Sequence, residues 1–156
     1  MRSEGEEQAV SGRGRCGIRA IYLWFGYSRA APRLARLVMR NHKSLLAWQE
    51  AHAVVVTVLP AIRQVNHWFS NPVFDQLQRA ALSVQLNIAE GYALRTSKRF
   101  RNHLDIAYGS AVETAELLEL CRELGLLTGE FTTSALERCQ LCQRLLRGLI
   151  NYLSKR

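Results

Sequence analysis

Residues 74–91 read FDQLQRAALSVQLNIAEG, and the fold follows from their spacing. Phe74, Leu77, Ala81, Val84, Ile88 and Gly91 are separated by alternating steps of three and four. An α-helix turns once in about 3.6 residues, so these positions form one continuous stripe; a strand would scatter them over both faces. The same alternation recurs upstream at Leu45, Trp48, His52, Val55, Leu59, Ile62, Asn66 and Phe69. Downstream it recurs at Phe100, Leu104, Ala107, Ala111, Thr114, Leu118, Cys121 and Gly125, and again at Ala135, Cys139, Cys142, Leu146, Leu149 and Leu153. No stretch alternates with period 2 over a strand's length, so the fold class is all-α.

The breaks between stripes set the topology. Ser70-Asn71-Pro72 separates the first two, with Pro72 near the start of the second helix, where its missing N–H is an orphan anyway. Gly91 through Ser97 separates the second and third; Gly91 is expected just past the second helix in the left-handed conformation, and Thr96 or Ser97 caps the third. Gly125 to Gly129 separates the third and fourth, with Thr132, Thr133 or Ser134 as the cap. Short connections make successive helices antiparallel, and a helix of about 25 residues spans ~37 Å. The expectation is an antiparallel up-down-up-down four-helix bundle over residues 41–156. Pro60 is expected to kink the first helix near Val56, whose carbonyl its ring displaces.

Apolar residues fill a second stripe on two of the helices: Ala51, Val54, Val58, Ala61, Val65 and Trp68 on the first, and Ile106, Leu117, Leu120 and Leu124 on the third. Some widening is normal in a globular bundle. Two stripes on one helix leave surplus apolar surface, which favours burial against another subunit.

Residues 1–40 read differently. MRSEGEEQAVSGRGRCG is polar and Gly-rich without period, the composition of a disordered segment. IRAIYLWFGYSRAAPRLARLVMR contains arginine but neither lysine nor acid. Its apolar run is too short for a signal peptide, and the EGEE opening does not suit a transit peptide. The preferred reading is a leader outside the functional domain, with Met39 as the original start; a basic amphipathic arm is the alternative.

The chain has 156 residues and a net charge of +8. Residues 1–40 hold 8 Arg and 3 Glu, and residues 41–156 hold 13 Lys and Arg against 10 acids, so the domain itself carries only +3. Whole-chain basicity is therefore weak evidence for a polyanion partner. Hydrophobic content of 48% excludes wholesale disorder. No window approaches 18 uncharged apolar residues, so no membrane-spanning helix is expected, and 4 cysteines do not make a disulfide scaffold.

Enzyme and metal chemistry find little support. Di-iron bundles need Glu-x-x-His on two helices, and none of His42, His52, His67 and His103 follows a glutamate by three. Cys139-x-x-Cys142 lies mid-helix on the apolar seam, where cysteines act as small core residues; redox pairs occupy helix starts, and a zinc would need two further ligands. There is no Gly-x-Ser-x-Gly elbow and no phosphate-binding glycine loop, so catalytic residues, metal and cofactors are all expected to be absent. A histidine on a seam, as His52 is, reads as a satisfied buried or interface residue.

Residues 76–127, QLQRAALSVQLNIAEGYALRTSKRFRNHLDIAYGSAVETAELLELCRELGLL, resemble the bacterial proteins encoded in intervening sequences of 23S ribosomal RNA genes. The telling pieces are Gln78-Arg79-Ala80-Ala81, Asn87-Ile88-Ala89-Glu90-Gly91, and Ala107-Tyr108-Gly109-Ser110 followed by Glu113. The resemblance extends from about Lys43 to the C-terminus. It departs at Phe69-Ser70-Asn71-Pro72, where the family has Phe-Pro and an acid. It implies a small cytoplasmic bacterial protein without catalytic activity or small-molecule substrate, assembled as a homo-oligomer, a pentameric barrel. A related branch, the accessory proteins of diversity-generating retroelements, is strongly basic and assists a reverse transcriptase and its RNA; the +3 of residues 41–156 sets this chain apart from it.

Of the signature residues, Ala107, Gly109, Ser110 and Ala111 are expected to form a small-residue patch that admits a neighbouring helix. Glu113, between Ile106 and Leu117 in the second stripe, needs a donor: Arg79, Asn87 or a neighbouring subunit. The strongest functional hint is basic. Arg95, Lys98, Arg99 and Arg101, with His103 close by, gather at the start of the third helix, where cations oppose the helix dipole and a phosphate would meet free N–H groups. Arg101 can also pair with Asp105 one turn on. Arg144, Arg147 and Asn151 form a second basic surface on the last helix, ahead of Lys155 and Arg156. Tyr152 is its sole aromatic residue, too little to stack single-stranded bases. The expected function is a non-enzymatic scaffold or adaptor that contacts RNA or a ribonucleoprotein; the alternative is a dedicated nucleic-acid-binding accessory factor.

Overall fold

A computed structural model of the chain describes residues 41–65, 71–94 and 96–155. The leader 1–40, Asn66, His67, Trp68, Phe69, Ser70, Arg95 and Arg156 lie outside the described residues. A 3-10 turn, His42–Ser44, leads into α1 (Leu46–Gln64), α2 (Asn71–Ala93), α3 (Ser97–Glu123) and α4 (Gly129–Ser154). The sequence stripes did not announce the turn. Asn41 makes it, accepting from the Lys43 N–H at 2.7 Å, and Gln49 Nε2 ties it to α1 by donating to the Lys43 carbonyl at 2.9 Å.

The four helices close a ring in which α1 packs on α2 and α4, α2 on α3, and α3 on α4. Cross-helix bonds fix the directions. Gln76 and Asn87 of α2 meet Glu113 and His103 of α3, and Ala47 and Glu50 of α1 meet Cys142 and Arg138 of α4. Numbers rise on one helix as they fall on the other, so neighbours are antiparallel. The fold is the expected all-α four-helix bundle, with no strand among the described residues.

The core divides along the axis. One apolar cluster gathers Val54, Val58, Phe74, Leu77, Leu118, Leu136 and Cys139; the other gathers Trp48, Ile88, Leu104, Cys142 and Leu146. Between them the packing narrows to small side chains, among them Ala51, Ala81 and Ala111.

Several local expectations change. α1 ends at Gln64 with Val65 as its C-cap residue, and Pro60 lies inside it as expected. α4 starts at Gly129 with Thr128 as its N-cap residue. Thr132 therefore sits inside its first turns, fully buried, and its hydroxyl donates to the carbonyls of Thr128 and Gly129. Thr96 occupies the N-cap position of α3, but its hydroxyl makes no capping bond.

Among the described residues the left-handed glycine is Gly125, not Gly91. Gly125 has φ +64°, its N–H reaches the Arg122 carbonyl at 3.1 Å, and Leu126 N–H reaches the Cys121 carbonyl at 2.8 Å. That paired arrangement ends a helix and turns the chain, and it requires a residue without Cβ strain. Gly91 instead lies inside α2, which continues to Ala93. A Cβ on Gly91 would stand 2.5 Å from His103 Cβ, so its role is the close approach of α2 and α3.

Candidate functional site

A polar ladder runs along the α2–α3 seam. At one end Gln76 Nε2 donates to Glu113 Oε1, while Arg79 Nη2 donates to Gln76 Oε1 at 2.7 Å. The donor to Glu113 is thus Gln76, with Arg79 one step removed; Asn87 is not involved, and Glu113 is exposed. In the middle, the Ser83 and Ser110 hydroxyls meet at 2.8 Å. Further on, Asn87 Nδ2 donates to the Ser83 carbonyl at 2.9 Å and Asn87 Oδ1 accepts from His103 Nδ1 at 3.1 Å. Glu90 Oε2 lies 4.0 Å from the same ring nitrogen. Signature residues Arg79, Asn87, Glu90, Gly91, Ser110 and Glu113 therefore all serve one helix–helix contact.

Gly109 does not join them. The expected small-residue patch divides: Ala107 and Ala111 enter the core, Ser110 turns to α2, and a Cβ on Gly109 would meet nothing within 4 Å. Gly109 belongs to an outward strip of α3 with Ile106, Leu120 and Leu124, which are 52%, 38% and 54% exposed. Leu86 on α2 adds another exposed apolar side chain. The second stripe of α1 behaves otherwise, since Ala51, Val54 and Val58 are all buried within the chain.

The thiols are core groups. Burial pushes Cys139 and Cys142 up to about 12 and Cys121 up to about 11, and Cys142 Sγ donates to the Ala47 carbonyl at 3.4 Å. A thiol held protonated is neither nucleophile nor ligand. Among the described residues no group of three His, Cys, Asp or Glu could hold a metal, and no helix is long and apolar enough to cross a membrane. His52 stacks on Trp48 with centroids 4.9 Å apart, and its Nδ1 lies 3.4 Å from Gln85 Oε1.

Charge separates along the bundle axis. One end comprises residues 41–54, 83–109 and 142–155, where the described residues carry seven Lys and Arg against three Asp and Glu. The other end, residues 55–65, 71–82 and 110–141, carries four against seven. Each acid of the basic end is already engaged: Glu50 with Arg138 at 3.1 Å, Asp105 with Arg101 at 3.9 Å, and Glu90 near His103. Lys43, Lys98, Arg99, Arg144 and Lys155 are exposed and pair with no acid among the described residues. Arg147 is committed elsewhere; it donates to the Tyr108 hydroxyl and lies 4.9 Å over its ring. Arg95 lies outside the described residues. α3 shows the polarity by itself, with Lys98, Arg99 and Arg101 at its start and Glu116, Glu119 and Glu123 toward its end. The start opposes the helix dipole, whereas toward the end Arg122 lies among the acids and pairs with Glu119 at 2.7 Å.

The same end holds a train of rings that sequence reading missed. Phe100 and Tyr92 pack edge to face at 6.1 Å, Tyr92 and His42 at 6.3 Å, and His42 and Trp48 at 5.4 Å, with His52 stacked beyond. Its members come from the 3-10 turn, α1, α2 and α3, so no local motif could announce it. The Trp48 indole N–H is buried without an acceptor among the described residues. A stranded donor of that kind costs about 1–3 kcal/mol, which makes it an exception in the core.

No curated protein matches the chain. A family model does, the 23S rRNA-intervening sequence protein, over residues 43–148. That span takes in most of the 3-10 turn, all of α1, α2 and α3 and most of α4, together with the whole polar ladder. The chain belongs to the 23S rRNA-intervening sequence protein family.

Proposed function

We propose that this chain is a non-enzymatic scaffold or adaptor of the bacterial cytoplasm, which assembles with copies of itself and meets RNA or a ribonucleoprotein through its basic end. The subunit number follows the family resemblance, a pentamer. The observation that carries the assembly is the outward strip of α3, where Ile106, Leu120 and Leu124 expose apolar surface beside an open Gly109. Apolar side chains aligned on one face are sites of association. Absence of catalysis is supported by thiols locked in the core and by the engagement of Glu50, Glu90 and Asp105 in pairs.

Sedimentation equilibrium tests the assembly. The native chain should sediment as an oligomer, and Ile106→Asp with Leu124→Asp should yield monomers whose circular dichroism stays helical. A monomeric native chain would overturn the assembly. The unpaired cations of the basic end favour a second reading, an accessory factor dedicated to nucleic acid. Its binding should weaken with salt, and Lys98→Gln, Arg99→Gln and Arg101→Gln together should flatten the log–log slope by about 0.7–0.9 for each phosphate the variant no longer neutralises. A slope near zero in the native chain would sink that second reading.

A further inference from the structure

We propose that the basic end binds unpaired nucleotides, with the His42, Tyr92 and Phe100 rings supplying the base platform and Lys43, Lys98 and Arg99 taking the phosphates. This deepens the RNA contact proposed above and rests on it. Cations alone would bind any polyanion, duplex and single strand alike. What selects single strands is aromatic surface beside the cations, because every base has a face that can stack. His42, Tyr92 and Phe100 are half-buried residues in ring contact with one another, and Lys43, Lys98 and Arg99 stand next to them in the 3-10 turn and at the start of α3. Glu90 and Asp105, the nearest acids in sequence to this surface, are turned to His103 and Arg101. The ring train continues inward to Trp48, which backs the platform with buried aromatic surface.

The His42 ring is the member that can be removed with least harm, since it sits in the 3-10 turn ahead of α1, a turn that contributes no buried residue to the core. Fluorescence anisotropy of the full chain would compare four probes: a 12-nucleotide oligouridylate, the matching oligothymidylate, a 12-base-pair RNA duplex and inorganic polyphosphate. His42→Ala should weaken both single strands about tenfold and leave duplex and polyphosphate unchanged. His42→Phe keeps a ring and should restore single-strand binding, which separates loss of the platform from loss of the turn. Lys98→Gln with Arg99→Gln should weaken all four probes.

Equal weakening of every probe by His42→Ala, or none, would overturn the platform while leaving the phosphate contact standing. No binding of any probe at low salt would overturn both. Single-strand binding by uridylate and thymidylate alike would place recognition in base and phosphate; binding of uridylate alone would add the 2′-hydroxyl or exclusion of the 5-methyl group, and either result supports stacking if His42→Ala weakens it.

Discussion

Helix α1 buries the middle of both its apolar stripes inside the chain, with Leu59, Ala61 and Val65 half-buried and Val56 exposed off the stripes, whereas α3 buries one. In sequence the two helices are equally wide in apolar residues, yet Ala51, Val54 and Val58 are at most 3% exposed while Ile106 and Leu124 are more than half exposed. The difference lies in how each helix is held. α3 is pinned to α2 along its length by Gln76–Glu113, Ser83–Ser110 and Asn87–His103, and Gly91 lets the two backbones approach at His103. Those contacts fix its rotation and leave the second stripe outward. α1 carries His52–Gln85 toward α2 and Glu50–Arg138 toward α4, and packs chiefly through apolar side chains. Rotation set chiefly by apolar contact settles where most area is buried. Polar pinning decides which helix is left with a face for others.

The largest expected effect comes from placing one carboxylate on each second stripe. Val58→Asp puts a charge where the side chain is 0% exposed, at a cost of about 3–5 kcal/mol, a large part of the stability of a domain this size. Urea denaturation followed by circular dichroism should show loss of the cooperative transition or a midpoint near zero. Ile106→Asp, on the exposed strip, should shift the same transition by less than about 1 kcal/mol when both chains are compared at a concentration low enough to keep them monomeric. Equal effects from the two would mean that the stripes do not differ in burial, and the comparison would fall.

The inner face of α3 should be as dry as that of α1, and its thiol reports on this together with the two of α4. Burial raises Cys121 to about 11 and Cys139 and Cys142 to about 12 from an ordinary 9.0. Unfolded thiols lose their protons above pH 9, whereas the folded ones keep theirs for about two or three further units. Stability from this source is therefore complete below pH 9 and falls as pH climbs toward the folded values, by at most about 1.4 kcal/mol per pH unit per thiol. Between about pH 8 and 10.5 the native chain should lose several kcal/mol more than a variant carrying Cys121→Ala, Cys139→Ala and Cys142→Ala. Parallel pH curves would show water reaching these sulfurs.

Residue spacing made the bundle legible, because alternating steps of three and four depend only on helix pitch. The inward position of Cys139 and Cys142 was legible for the same reason, as was the Arg101–Asp105 pair one turn apart. Gly91 was misread because a glycine that relieves strain and a glycine that admits a neighbour look the same in one dimension; what separates them is His103, twelve residues on. Gln76 went unnoticed as the partner of Glu113 for lack of any local relation between them. The charge order along the axis was hidden by summing over the domain, since antiparallel helices bring the start of α3 beside the ends of α2 and α4 and leave their acids at the far end. The ring train required four elements to meet, and no periodicity carries that information.

Two glycines give the smallest test of what pins α3, with effects of opposite sign. Gly91→Ala would drive a Cβ to 2.5 Å from His103 Cβ, an atom fixed to the backbone that no rotamer can move away. α2 and α3 must part, the Asn87–His103 bond stretches, and the cost of about 1–3 kcal/mol exceeds the gain of about 1 kcal/mol from replacing a helical glycine. Gly109→Ala meets nothing within 4 Å in the single chain, so it should collect that helical gain and raise the urea midpoint. The same methyl group would intrude on any copy that packs closely over Ile106 and Gly109. A bundle made more stable as a monomer but weaker as an oligomer would locate the second copy on the face that pinning leaves outward; a gain in both would move the contact elsewhere on α3.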